Sequence, residues 1–172
     1  SVDRLKAYEP DLPSNVRDTN GMPVFSFARE HRVQLKFDEY PKLLVAAYLS
    51  AEDKTFFSHH GVDYPGIVSA MIDNLRSKRA RGASTITQQV AKNFLLSSDQ
   101  TMERKLKEAI LAIRIERAFT KEQILELYLN EIYLGAGAYG VAAAAQTYWD
   151  KSLNELSIAD CAYLATLPKA PS

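Results

Sequence analysis

The sequence has little of what would classify it at a glance. A single cysteine, Cys161, stands among 172 residues, so no disulfide can close within the chain, and this residue reads as a small core side chain. No apolar run reaches the roughly 18–20 residues that cross a bilayer. Neither sign of charge is in excess. The 21 Lys and Arg balance 21 Asp and Glu, which argues against a generic binder of nucleic acid or other polyanions. Internal repeats and low-complexity tracts are missing as well. The chain opens on Ser1 and closes on Pro171-Ser172, the ends expected of a domain excised from a longer protein with a signal or anchor upstream.

What is present suits one globular domain with a small appendage. Apolar residues make up 47% and charged residues 24%, and the length allows a real core. Residues 1–37 differ from the rest. Asn20-Gly21 is a turn signal between Val16-Arg-Asp18 and the alternating Val24–Phe27, and Val33–Phe37 alternates again. A small antiparallel sheet or extended arm is expected there. From Asp38 to the end the pattern is helical. Thr85-x-x-Gln88 and Thr120-x-x-Gln123 fit capping boxes; Ser98 or Asp99 is placed to cap a helix near Thr101, and Ser157 one from Ile158. Gly135, Gly137 and Gly140 end the segment Ile124–Leu134, and Pro168 ends the last helix. Within 102–118, Met102, Leu106, Ala109, Ile110 and Ile113 recur at helical spacing and predict the buried stripe. Arg104, Glu108, Leu111 and Ile115 form a second row opposite it, as in a central helix.

Several clusters suit chemistry. Glu52 and Asp53 end the apolar run Leu43–Leu49 and precede Phe56, Phe57, His59 and His60. Neighbours on a helix point about 100° apart, so the two acids do not form a facing pair. On these residues alone Glu52 is either a solvated helix-end carboxylate or a desolvated acid–base group. The adjacent histidines diverge and lack H-x-x-H, H-E-x-x-H or Cys partners, which disfavours a His-based metal site and leaves His59 a structural hydrogen bond. No G-x-S-x-G supports a Ser nucleophile. Gly82–Gln89 (GASTITQQ) puts Ser84, Thr85, Thr87, Gln88 and Gln89 at a helix start, with Lys92 one turn on. It is either an ordinary capped helix or a place receptive to phosphate. Arg104 and Glu108 stand at i, i+4, as in any surface ion pair. Arg76, Lys78, Arg79 and Arg81 crowd six residues without an acid. Two separated carboxylates, a hydroxyl-rich helix start and a set of cations together suit moving a sugar off a phosphate leaving group.

Four motifs in one order carry a resemblance. EDKTFFSHHG (Glu52–Gly61) matches E-D-x-x-F-x-x-H-x-G. GASTITQQ matches G-x-S-T-I-T-Q-Q, and RKLKE (Arg104–Glu108) matches R-K-x-K-E. KEQILELYLN (Lys121–Asn130) matches K-x-x-I-L-E-x-Y-L-N. From about Asp38 to Ser172 the chain resembles the peptidoglycan glycosyltransferase family, found in class A (bifunctional) penicillin-binding proteins and in monofunctional cell-wall transglycosylases. Its N-terminal arm and closing Leu167–Pro171 look more like the bifunctional members, which implies an upstream membrane helix and a downstream transpeptidase.

The resemblance implies a mainly α, lysozyme-like, two-lobed fold with a membrane-facing jaw, on the extracytoplasmic side of the bacterial inner membrane. It implies polymerisation of lipid II, with the growing lipid-linked glycan as donor, inversion to a β-1,4 bond and release of undecaprenyl pyrophosphate. Glu52 would be the general base, and Glu108 a second carboxylate that orients cations or a divalent ion, Mg²⁺ or Mn²⁺, at the pyrophosphate. Ser84, Thr85, Gln88, Gln89, Lys92, Arg104, Lys105, Lys107 and Tyr148 would contact substrate. Asp53, Phe56, His59, Gly61 and Asn130 would be supports. No H-x-H or D-x-D pattern argues for a tight cage.

Ser69 and Gln100 stand where many members carry Arg, which removes positive charge from the phosphate region. Asp150 replaces a common Gly, a surface change. The residues also fit two rival readings. One is a lytic muramidase or transglycosylase with Glu52 as acid, which would have no use for the cations. The other is a non-catalytic helical module that docks on membranes or partners.

Overall fold

In the computed structural model of the chain, residues 31–76, 82–95 and 101–169 are described, together with the strand segments 14–17 and 23–27 and positions 2 and 6. Among the described residues the chain is mainly helical. Seven α-helices follow in order: α1 Lys42–Glu52, α2 Tyr64–Arg76, α3 Ile86–Phe94, α4 Met102–Ala118, α5 Lys121–Glu131, α6 Val141–Trp149 and α7 Ile158–Thr166. The strands among the described residues are β1 Ser14–Arg17, β2 Pro23–Phe27, β3 His31–Arg32 and β4 Ala138–Tyr139. The residues cluster into two compact units. One holds 49–125 with 1–6; the other holds 7–48 and 126–172. The division falls inside α1 and inside α5.

The expected hairpin is present. β1 and β2 pair antiparallel, Ser14 opposite Phe27 and Val16 opposite Phe25, with an irregularity between Val16 and Arg17. The Asn20-Gly21 turn lies outside the described residues. The second alternating segment, Val33–Phe37, is not a strand. β3 stops at Arg32 and pairs parallel with β4. Beyond it the backbone is bound by side chains instead of a ladder. Leu35 N–H donates to Asn130 Oδ1 at 3.1 Å and Leu35 C=O accepts from Asn130 Nδ2 at 2.9 Å. Phe37 N–H donates to the Glu126 carboxylate at 3.1 Å. Alternation recorded that one side of this segment packs on α5; it did not record what its backbone binds.

Asn130 is the fastening point of this unit. Its Oδ1 also accepts the buried Tyr40 hydroxyl, and burial, reinforced by the charges of Glu126, Glu131 and Glu39, pushes that phenol well above its ordinary pKa. Gly140 sits against the same residue. At φ +85°, a Cβ there would lie 2.3 Å from the Asn130 carbonyl oxygen, so no side chain fits. The small-residue run Val141–Ala145 of α6 is wholly buried and packs on β3 and β4. Tyr48 and Tyr128 meet edge to face at 6.0 Å, and the Tyr48 hydroxyl donates to the Leu164 carbonyl on α7. Asp150, where a glycine was expected, caps α6 in the left-handed region at φ +53°, a conformation Asp tolerates better than most residues. It is exposed, as a surface change should be.

Caps follow the sequence at Thr85, Thr120 and Ser157. The cap of α4 is Thr101, whose hydroxyl accepts from Arg104 N–H; Ser98 and Asp99 lie outside the described residues. Pro168 sits in a short 3-10 turn, Leu167–Lys169, that follows α7.

The faces of α4 are the reverse of the expectation. Met102, Leu106 and Ile110 are 85%, 62% and 45% exposed, while Arg104, Glu108, Ala112 and Ile115 are buried. The physical reason is at the end of α3. Its last carbonyls need donors, and the Arg104 guanidinium supplies them, 3.3 Å from Lys92 O and 3.0 Å from Leu95 O. A helix with apolar residues in two rows buries whichever row also satisfies its neighbour's polar end.

Asn130→Ala removes three hydrogen bonds, two to Leu35 and one from Tyr40. At about 1 kcal/mol each, urea unfolding should show a loss of about 3 kcal/mol; an unchanged midpoint would contradict the fastening role.

Candidate active site

The residues from the end of α1 to Gly61 form a tight return held by a buried carboxylate. Asp53, directly after Glu52, is 6% exposed. Its Oδ2 accepts Ile86 N–H, at the first turn of α3, at 3.0 Å, and lies 2.7 Å from His59 Nε2. Gly61 N–H donates to His59 Nδ1 at 3.0 Å, so Nδ1 is the acceptor and Nε2 carries the proton given to Asp53. The negative charge thus sits where the α3 dipole favours it. Phe56 is fully buried with its ring 5.8 Å from the His59 ring.

Thr85 does more than cap. Its hydroxyl accepts from Gln88 N–H, and Gln88 Oε1 accepts from Thr85 N–H at 2.8 Å, completing the box. The same hydroxyl donates to Gly61 C=O at 2.7 Å. Gly61 has φ +107°, and a Cβ on it would stand 2.9 Å from the Ala112 backbone of α4. The return therefore lies directly on α4, and only glycine permits that approach.

Glu52 is half-buried, and its Oε2 lies 3.4 Å from Gln89 Nε2 on α3. Lys92 stands one turn beyond Gln89, exposed at the end of that helix. Ser84 is exposed just before it. Glu108 is 3% exposed, 3.9 Å from Arg104 Nε and 3.7 Å from the half-exposed Lys105 ammonium. Lys107 is exposed and bonded to Glu103 at 2.7 Å, a contact that holds the Glu103 carboxyl below its usual range.

The expected site residues thus divide by what they hold. Within the unit 49–125, α3 brings Gln89 to Glu52, carries Lys92, and is fastened by its last carbonyls to the basic start of α4. The Thr85 hydroxyl and Gln88 Oε1 are engaged in the α3 cap, and Arg104 Nη2 serves the last carbonyls of that helix. Tyr148 and Asn130 belong to the other unit, where the Tyr148 hydroxyl donates to Leu134 C=O at 2.6 Å. Lys78, Arg79, Arg81 and Gln100 lie outside the described residues, and Ser69 is exposed on α2. Among the described residues no three His, Cys, Asp or Glu side chains gather as a cation would need, and Glu108 already faces two cations.

Three partners escaped the sequence reading. Thr87 donates to Glu116 at 2.7 Å, and Lys121 donates to Glu116 at 2.8 Å and to His59 C=O at 2.7 Å. The signals were there: Thr87 was a hydroxyl the cap did not require, and Lys121 opens the fourth motif.

Residues 20–172 match the family described as Transglycosylase. The chain belongs to the transglycosylase family. As such it is a peptidoglycan glycosyltransferase domain. Penicillin-binding protein 1A of Neisseria flavescens is 49% identical over 173 residues, covering 100% of this chain and 22% of the relative. Penicillin-binding protein 1A of Rickettsia felis is 51% identical, over 98% of the chain and 22% of the relative. The transglycosylase chain therefore spans about a fifth of the length of these curated relatives. The crystal structure of penicillin-binding protein 1A from Haemophilus influenzae is 26% identical, with 96% of this chain and 15% of that chain covered and a TM-score of 0.45.

Thr85→Ala removes a cap, worth about 1 kcal/mol, and leaves the Gly61 carbonyl without its buried donor, worth about as much again. The melting temperature should fall by about 4–8 °C; calorimetry showing no change would contradict the double role of this hydroxyl.

Proposed function

We propose that this domain polymerises lipid II. The acceptor's 4-hydroxyl attacks the anomeric carbon of the growing glycan, the bond from that carbon to the pyrophosphate breaks, and the β-1,4 bond forms with inversion. Glu52 takes the hydroxyl proton, and undecaprenyl pyrophosphate leaves with its negative charge. The observation that carries this reading is the placement of Glu52 against Gln89 on α3, the helix that also carries Lys92 and is pinned to the basic start of α4. A half-buried carboxylate at a helix end suits a base. Lys92 and Lys105 suit stabilisation of the developing pyrophosphate charge. Glu108 keeps Lys105 oriented beside the buried Arg104.

The same reading sets the domain on the extracytoplasmic face of the bacterial cytoplasmic membrane, joined in the full protein to a transpeptidase. The share of the penicillin-binding relatives that it spans is consistent with such a fusion. No helix among the described residues is long and apolar enough to cross a membrane. Surface contact is another matter. Val68, Met71, Ile72 and Leu75 of α2 and Met102, Leu106 and Ile110 of α4 are exposed apolar side chains. Lys105, Lys107 and Arg114 are exposed beside the latter row, the mixture that binds anionic lipid surfaces.

Three outcomes test these readings. Glu52→Gln should lower lipid II polymerisation, read as a glycan ladder on a gel, by about 10²–10⁴-fold with the melting temperature kept. The wild-type ladder should vanish with moenomycin; muropeptides released from sacculi, with no ladder, would instead mean a lytic enzyme. In a separate flotation assay, Leu106→Glu with Ile110→Glu should reduce binding to anionic liposomes at least several-fold, and undiminished flotation would remove α4 from the membrane contact.

A further inference from the structure

The proposed chemistry leaves one buried ion pair unused. Glu116, near the end of α4, and Lys121, the first residue of α5, meet at 2.8 Å with side chains only 6% and 18% exposed. Each reaches a different neighbour. Glu116 Oε1 also accepts the Thr87 hydroxyl on the first turn of α3. The Lys121 ammonium also donates to the His59 carbonyl and lies 4.4 Å from the centre of the buried Phe56 ring. Glu116 Oε1 stands 3.9 Å from His59 Nδ1, beyond hydrogen-bond reach.

The pair is therefore a strut between the return 53–61 and α3. It runs beside the direct ties from Asp53 to Ile86 N–H and from Thr85 to Gly61 C=O. At one end of the strut the return begins one residue after Glu52. At the other, Thr87 is two residues from Gln89, whose amide faces Glu52. Stability alone is a weak reason to bury such a pair, since desolvation offsets most of its attraction and apolar replacements are often neutral. Geometry is a better reason, because misplacing a reacting group by about 1 Å costs on the order of 10²-fold in rate.

We propose that Glu116 and Lys121 are positioning residues for the base: they hold the return against α3 and so set the approach of Glu52 to Gln89 and to the attacking hydroxyl. The inference rests on Glu52 being that base, and it assigns neither residue any contact with substrate.

The test replaces both charges at similar volume, Lys121→Met with Glu116→Gln, so that neither is left buried alone. The double variant should melt close to the wild type. Its kcat for lipid II polymerisation should fall about 10- to 100-fold, with KM changed less than about threefold, and Lys121→Arg with Glu116 intact should recover much of the rate. Amide hydrogen exchange should accelerate at Gly61 and Ile86 while other helical amides keep their protection. A kcat within about twofold of wild type, or a rate loss that only tracks the unfolded fraction, overturns the proposal. Glu52→Gln is run in parallel. If it polymerises like the wild type, the base assignment fails, and the exchange measurement alone decides whether the strut holds the return.

Discussion

A carboxylate set against the start of a helix organises the unit 49–125. Asp53 takes the first free N–H of α3 and the ring N–H of His59 on one oxygen, and it is buried while doing so. Because it follows Glu52 directly, its fixed inward direction leaves Glu52 to emerge at another angle, toward Gln89. Helix, return and the proposed base are thus positioned by one charge that the α3 dipole and two donors stabilise. Gly61 completes the arrangement, since only a residue without a side chain lets the return lie on the backbone of α4.

The second constraint concerns α4. Its buried row begins with two ionisable side chains, Arg104 and Glu108, and its outward row is apolar. In a freely soluble domain the opposite assignment would bury more oily surface. Here the carbonyl ends of α3 draw in the guanidinium, Glu108 balances it nearby, and the oily row is left for another partner. A bilayer surface is the partner proposed above.

Much of this was readable beforehand. The capping hydroxyls Thr85, Thr120 and Ser157, the helix bounds 102–118 and the hairpin follow from local rules, because caps and turns are satisfied within a few residues; the cap of α4 was expected at Ser98 or Asp99 and is Thr101. Glu52, Asp53, His59 and Gly61 could be picked out as a cluster for the same reason. What local pattern missed was long-range. Val33–Phe37 looks like a strand until Asn130, far along the chain, takes its backbone bonds. The apolar row of α4 looks like core until Arg104 is seen serving carbonyls on α3. Glu116, Thr87 and Lys121 come from three helices and carry no shared spacing, so no periodicity could join them.

The Asn130 fastening has a consequence for biosynthesis. Leu35 and its anchor are separated by 95 positions, so a nascent chain emerging at about 5–20 residues per second leaves the 33–40 segment untethered for roughly 5–20 s. During that interval the Leu35 amide and carbonyl, the Phe37 amide and the Tyr40 hydroxyl lack their native partners on α5. The 33–40 segment of this unit therefore closes late on the ribosome, after α5 has left the exit tunnel, and a chaperone would find its target there.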